Sequence, residues 1–222
     1  MPMSRDFEQR LFHILPRVIE HFGSPFHIFD EKGILETGHD LKLKFREVVG
    51  FREFFAVKAL PNPSILRIMR TLGFGLDCSS GTELMLGRQN GFKGSDIMLS
   101  SNNTAVELFK MAAEGDGCIL NLDDITMIDK VPSFPELICF RYNPGERRTG
   151  TKVIGNPVEA KYGVRHDQIV DAYTLAKARG AKRFGLHTMI ISNQLDDRYM
   201  VETAKMLLEV IGMVVEALGI RF

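Results

Sequence analysis

Six short apolar runs recur along this chain, separated by longer amphipathic stretches, and that alternation limits the fold more than any other feature. The runs are residues 54–59 (FFAVKA), 74–79 (FGLDCS), 96–101 (DIMLSS), 117–122 (GCILNL), 136–142 (ELICFRY) and 184–191 (FGLHTMII). Each is continuous rather than strictly alternating, the pattern of parallel strands buried on both faces. The stretches between them carry helix signals. Asn62 caps a helix that opens on Pro63, with Ile65, Leu66, Met69 and Leu72 on one face. Ser80 with Glu83, and Thr104 with Glu107, have capping-box spacing. Residues 198–218 form a long helix expected to turn Val201, Ala204, Leu208, Ile211 and Val215 inward, closed by Gly219.

Repeated strand–helix units imply right-handed crossovers and a parallel sheet, either open and doubly wound or closed as an eight-stranded barrel. Periodicity alone does not choose between them. Residues 219–222 leave a helix and look like the start of another strand, so the chain is expected to stop about six strands into a fold that wants eight. Upstream, residues 6–21 place Phe7, Leu11, Ile14 and Val18 at helical spacing until Gly23-Ser24-Pro25, with Pro16 expected to kink or divide the helix. A strand is expected at 26–29 (FHIF) and a second helix at 40–49. The segment 143–165 is long, rich in Gly, Pro, Lys and Arg, and follows a strand end. It is a candidate substrate or dimer-contact loop.

Charge excludes some partners. The chain has 28 basic and 28 acidic residues in 222, and no long block of one sign, so it lacks the electrostatic footprint of a nucleic-acid or anionic-membrane binder. No apolar run approaches the ~18 residues of a membrane span, and the start MPMSRDFEQR lacks the order of a signal peptide. A cytoplasmic protein with a small-molecule partner is expected. Cys78, Cys118 and Cys139 each sit in apolar surroundings without metal-type spacing and read as buried free thiols.

Lys58 stands out within FFAVKA. Desolvation there would lower its pKa and free the amine to condense with a carbonyl compound. The competing reading is a strand-end lysine whose ammonium snorkels to water. The residue alone leaves both open.

The run FFAVKALPNPSILRIMRTLGFGLDCSSGTEL resembles the alanine racemase-like, group IV pyridoxal-phosphate-dependent decarboxylases. SSNNTAVEL, ILNLDDI, CFRYNPG, AKYGV and FGLHTMIISN continue the resemblance in order, from Ser24 to Phe222. It implies a TIM-like (β/α)8 barrel of the alanine racemase type, truncated, with the C-terminal β-domain absent. Residues 1–35 would join that β-domain and 36–222 would form an incomplete barrel that binds pyridoxal 5'-phosphate. Lys58 would carry the cofactor as a Schiff base. Asp77 and Glu83 would support the lysine and the barrel mouth, Arg141 would lie at the active-site end of its strand, and Ser192 would contact the phosphate, helped by a helix N-terminus near Asp196.

Met189 stands where most members have a ring-stacking histidine, and some diaminopimelate decarboxylases share an apolar residue there. His187 is either an interior packing residue or a cofactor neighbour. The resemblance implies decarboxylation of meso-diaminopimelate to lysine by a homodimer. The alternatives are decarboxylation of ornithine, arginine or carboxynorspermidine, or a non-catalytic pyridoxal-phosphate-binding homologue.

Overall fold

The computed structural model describes residues 3–150 and 155–222. Two helices, α1 (Arg5–Phe22) and α2 (Glu31–Lys44), precede an alternation of β1 (Phe54–Ala56), α3 (Pro63–Thr71), β2 (Gly75–Cys78), α4 (Gly81–Gln89), β3 (Gly94–Ser101), α5 (Val106–Ala113), β4 (Cys118–Leu122) and β5 (Leu137–Asn143). A two-residue strand β6 (Val164–Arg165), α6 (Ile169–Ala178), β7 (Arg183–His187) and α7 (Asp197–Leu218) follow.

All strand pairings are parallel, and neighbours run β1-β2-β3-β4-β5, with β7 beside β5. The order never reverses. A doubly wound sheet must reverse at a switch point, whereas a barrel winds in one direction, so the topology is that of a barrel wall. β6 was not foreseen: it pairs with the last two residues of β5, and Gly163 N–H just before it donates to the Asp123 carbonyl beyond β4.

Register separates the two faces of the sheet. Leu76, Ile97, Leu99, Leu120, Leu122, Ile138, Phe140 and Phe184 are buried on the helical side, against Ile65 and Leu66 of α3, Leu84 of α4, Phe109 of α5 and Tyr173 of α6. Each such side chain contributes ~1.5–3 kcal/mol by leaving water. Tyr173 meets the rings of Phe140 and Phe184 edge-on, with centroids 5.1 and 5.8 Å away, and its hydroxyl donates to the Gly185 carbonyl at 2.7 Å. The other face carries different chemistry. The register rows Ala56–Asp77–Met98, Ser100–Asn121–Cys139–Gly185 and Arg141–His187 lie there, small or polar almost throughout.

Several expectations hold and several fail. Asn62 caps α3, accepting from Ser64 N–H at 2.9 Å, and Ile65, Leu66, Met69 and Leu72 are buried as expected. Gly219 closes α7 in the left-handed conformation. The FHIF segment is not a strand: no ladder partner lies beside it among the described residues, and a strand needs one. The second helix starts earlier than expected and ends at Lys44, before the stacked rings of Phe45 and Phe51. Pro16 does not divide α1, which runs through with one backbone donor fewer. Thr104 does not cap α5, because its hydroxyl donates to the Ser101 carbonyl at 3.2 Å.

The inward face of α7 was misassigned. Thr203, Met206, Val210 and Val214 are buried, whereas Val201, Leu208 and Val215 are exposed. The helix carries apolar residues on two stripes, so its period does not tell which one meets the sheet, and Thr203 enters the core with its hydroxyl bonded to the Tyr199 carbonyl at 2.8 Å. Residues 219–222 form no strand; Ile220 is buried, and Phe222 packs against Tyr173 with centroids 5.1 Å apart. No helix among the described residues is long and apolar enough to cross a membrane.

Candidate active site

The C-terminal ends of parallel strands gather the chemistry in a barrel, because the loops that follow them open on one side. β1 ends at Ala56, and the chain tightens into a 3-10 turn, Val57–Ala59, before the Asn62 cap. That turn carries Lys58. Its side chain is exposed, so of the two readings left open the strand-end lysine reaching water is the one found: Val57 takes the buried position and Lys58 the next one, at the mouth.

Asp77, one residue before the end of β2, lies on the polar face, with Oδ1 buried and without a hydrogen-bond partner among the described residues. Burial pushes its carboxyl above the ordinary carboxylate range, opposed by the Ser100 side chain and by the charges of Arg141 and Lys58. Next along the sheet, the Asn121 amide donates to Ser100 Oγ at 3.1 Å, and its own Oδ1 is buried without a partner.

Arg141, near the end of β5, is 6% exposed and Asp123, just past β4, is 3% exposed; Nη1 lies 2.7 Å from Asp123 Oδ1. The same Nη1 donates to Asn102 Oδ1, also at 2.7 Å, so the aspartate contact is one of charge rather than an aligned hydrogen bond. Burial pushes the Asp123 carboxyl up, opposed by Arg141 and by the Gly163 N–H.

His187 ends β7 opposite Arg141. Burial, aided by the Arg141 charge, lowers its pKa to about 4, so the imidazole is neutral at pH 7, and Nδ1 has no partner among the described residues. Met189 and Ile190 follow and line a small cavity with Arg141, Pro157, Ala160 and Tyr162. In the 143–165 loop, residues 151–154 lie outside the described residues. Ser192 sits half-buried in the loop before α7. The N-terminus of α7 already holds a carboxylate, since Asp196 accepts from Arg198 N–H at 3.1 Å, so the positive end expected for a phosphate is engaged internally. Glu83 serves as a helix cap: Oε2 accepts from Ser79 N–H at 2.9 Å, and its own N–H donates to Ser80 Oγ at 3.3 Å.

Of the six buried side-chain atoms without a hydrogen-bond partner among the described residues, five lie in this cluster: Asp77 Oδ1, Asn121 Oδ1, Asp123 Oδ1 (which meets only the Arg141 charge), Arg141 Nε and His187 Nδ1. Buried polar groups are almost always satisfied, so their concentration marks a place built to meet a ligand's donors and acceptors. A primary amine at the same mouth suits an aldehyde, and this mixed set of donors and acceptors fits pyridoxal phosphate. Nothing among the described residues groups three or more metal-ligating side chains. The thiols are held protonated by burial, Cys118 at about 11 and Cys139 at about 12.

Sequence reasoning singled out Asp77, Arg141 and His187 but not Ser100, Asn102, Asn121 or Asp123. Their signal was present: each lies where an apolar run turns polar at its C-terminal end, inside SSNNTAVEL or ILNLDDI.

Comparison with known proteins places the family and the fold. The chain is 37% identical to Protein TabA of Pseudomonas amygdali pv. tabaci over 221 residues, covering 100% of this chain and 52% of that one. It is 28% identical to a diaminopimelate decarboxylase of Thermoplasma acidophilum, covering 94% of this chain and 51% of the relative. The chain therefore spans about half the length of these curated relatives. In fold it matches a solved SrLDC mutant in complex with PLP, with TM-score 0.79 at 19% identity, covering 100% of this chain and 54% of that one. The family model for the pyridoxal-binding domain of pyridoxal-dependent decarboxylases matches residues 36–222, and the chain belongs to that family.

Proposed function

We propose that this chain supplies the cofactor-binding half of a decarboxylase for an amino acid with a basic distal group, with meso-diaminopimelate as first candidate and lysine as product. The observation that carries the reading is the convergence of Lys58, Asp77, Arg141 and His187 at one end of the parallel sheet, with three of the five polar atoms that lack a hydrogen-bond partner among the described residues on these side chains themselves. The diaminopimelate decarboxylases among the relatives favour that substrate.

Lys58 Nζ would hold the cofactor through its aldehyde carbon, and Ser192 would reach its phosphate. When bound, the cofactor supplies an electron sink for the carbon–carbon bond that breaks. The protein's part is orientation and electrostatics. Arg141 offers a fixed positive charge and an Nε–H without an acceptor among the described residues. His187, neutral at working pH, offers a hydrogen-bonding nitrogen without adding charge. Asp77 lies within reach of the Lys58 charge and offers a carboxyl with a buried oxygen at the mouth. Met189 would lay a polarizable thioether against the ring where others place imidazole. Residues 1–35 would pack against further domains, and two chains would pair as a homodimer.

The test is carbon dioxide release from meso-diaminopimelate, ornithine, arginine and carboxynorspermidine by the natural full-length protein. Turnover of the first is expected. Turnover of ornithine alone would overturn the substrate, and none on any of them would favour a non-catalytic binding protein.

A further inference from the structure

Arg141 is gripped from one end. Its Nη1 meets Asn102 Oδ1 and Asp123 Oδ1, each at 2.7 Å, while Nε is buried with no acceptor among the described residues. The Tyr162 ring lies against the guanidinium, 5.6 Å from Cζ to the ring centroid. Asp123 is fixed in turn, because its carbonyl accepts from Gly163 N–H at 3.0 Å. A buried ion pair whose only task is stability would be expected to satisfy the guanidinium fully, since a bare buried donor is costly. Here the grip stops at one nitrogen, and one of the two acceptors that provide it, Asn102, comes from an exposed loop residue.

We infer that Asn102 and Asp123 are positioning residues, which hold Arg141 by Nη1 so that its Nε–H remains directed to an anionic oxygen of the group bound at the mouth. The inference rests on the reading of this mouth as the pyridoxal-phosphate site. It adds two residues, from the ends of β3 and β4, that act through Arg141 and touch no ligand themselves.

Two measurements on the same variants test it. In cofactor-free protein the Arg141 Nε–H gives a resolved nitrogen–proton resonance, assigned by its loss in Arg141→Lys. Asn102→Ala and Asp123→Asn should shift that resonance and speed its exchange with water. Pyridoxal phosphate affinity, by equilibrium dialysis, should fall roughly five- to tenfold in Asn102→Ala, as for one lost charged hydrogen bond. Asn102→Asp, which keeps an acceptor, should recover most of it. In the Arg141→Lys background Asn102→Ala should cost almost nothing further. Asn102 is exposed, so its variant keeps the parent melting temperature even where Asp123→Asn fails to fold. An unmoved Arg141 resonance, or an equal affinity loss in both backgrounds, would overturn the positioning role. Failure of the parent protein to bind pyridoxal phosphate would overturn the reading of the site and the inference with it, and is seen without any variant.

Discussion

Arg141 and His187 are register partners on β5 and β7, so a permanent cation and an imidazole leave the sheet on the same face, side by side. Burial and that cation lower the His187 pKa from 6.5 to about 4. Above 6.5 both folded and unfolded chains hold a neutral ring. Below it the unfolded chain takes up a proton that the folded one refuses until about pH 4, so stability is lost as pH falls through that window. The loss attributable to His187 is about 3 kcal/mol at most. Urea titrations between pH 7 and 4 should show a shallower decline for His187→Gln than for the parent. Parallel declines would mean that the ring is solvated.

Glu83 is accounted for by its bonds to Ser79 and Ser80. Glu83→Ala should cost about 1 kcal/mol of stability, as a lost helix cap does. Pyridoxal phosphate affinity should not move. An affinity loss at unchanged stability would return the residue to the site.

Gly163 has φ of +93°, and a Cβ there would sit 2.9 Å from the Asn143 backbone nitrogen. Neither strain has an easy escape, since the crowding atom is backbone. Gly163→Ala should destabilise by roughly 2–4 kcal/mol. It should also loosen Asp123 and Tyr162, both of which contact Arg141. Thermal unfolding measures the first effect and the Arg141 side-chain resonance the second; a variant as stable as the parent would show that the turn relaxes freely.

Much of this was legible in the residues. Apolar runs at 74–79, 96–101, 117–122 and 136–142 became β2 to β5 because burial on both faces demands continuous hydrophobicity, a local property of the chain. Asn62-Pro63 and Ser80 fixed helix starts for equally local reasons. What failed depended on distant partners. FHIF has strand composition but no neighbouring edge, and α7 could bury either of two stripes. Lys58 was left open between interior and strand end because it follows four apolar residues, and only the end of β1 at Ala56 and the 3-10 turn Val57–Ala59 bring it out to the mouth. Asn102, Asn121 and Asp123 sit where apolar runs turn polar, a signal that does not say what they meet. Only parallel register brings them beside Arg141 and Asp77.

Lys58 carries the account. The direct measurement is to incubate the protein with pyridoxal phosphate, reduce with borohydride, digest, and locate the added mass. The label should fall on the peptide containing Lys58 and vanish in Lys58→Ala, with the parent melting temperature kept because the side chain is exposed. A label spread over other lysines, or persisting at full yield in Lys58→Ala, would contradict it.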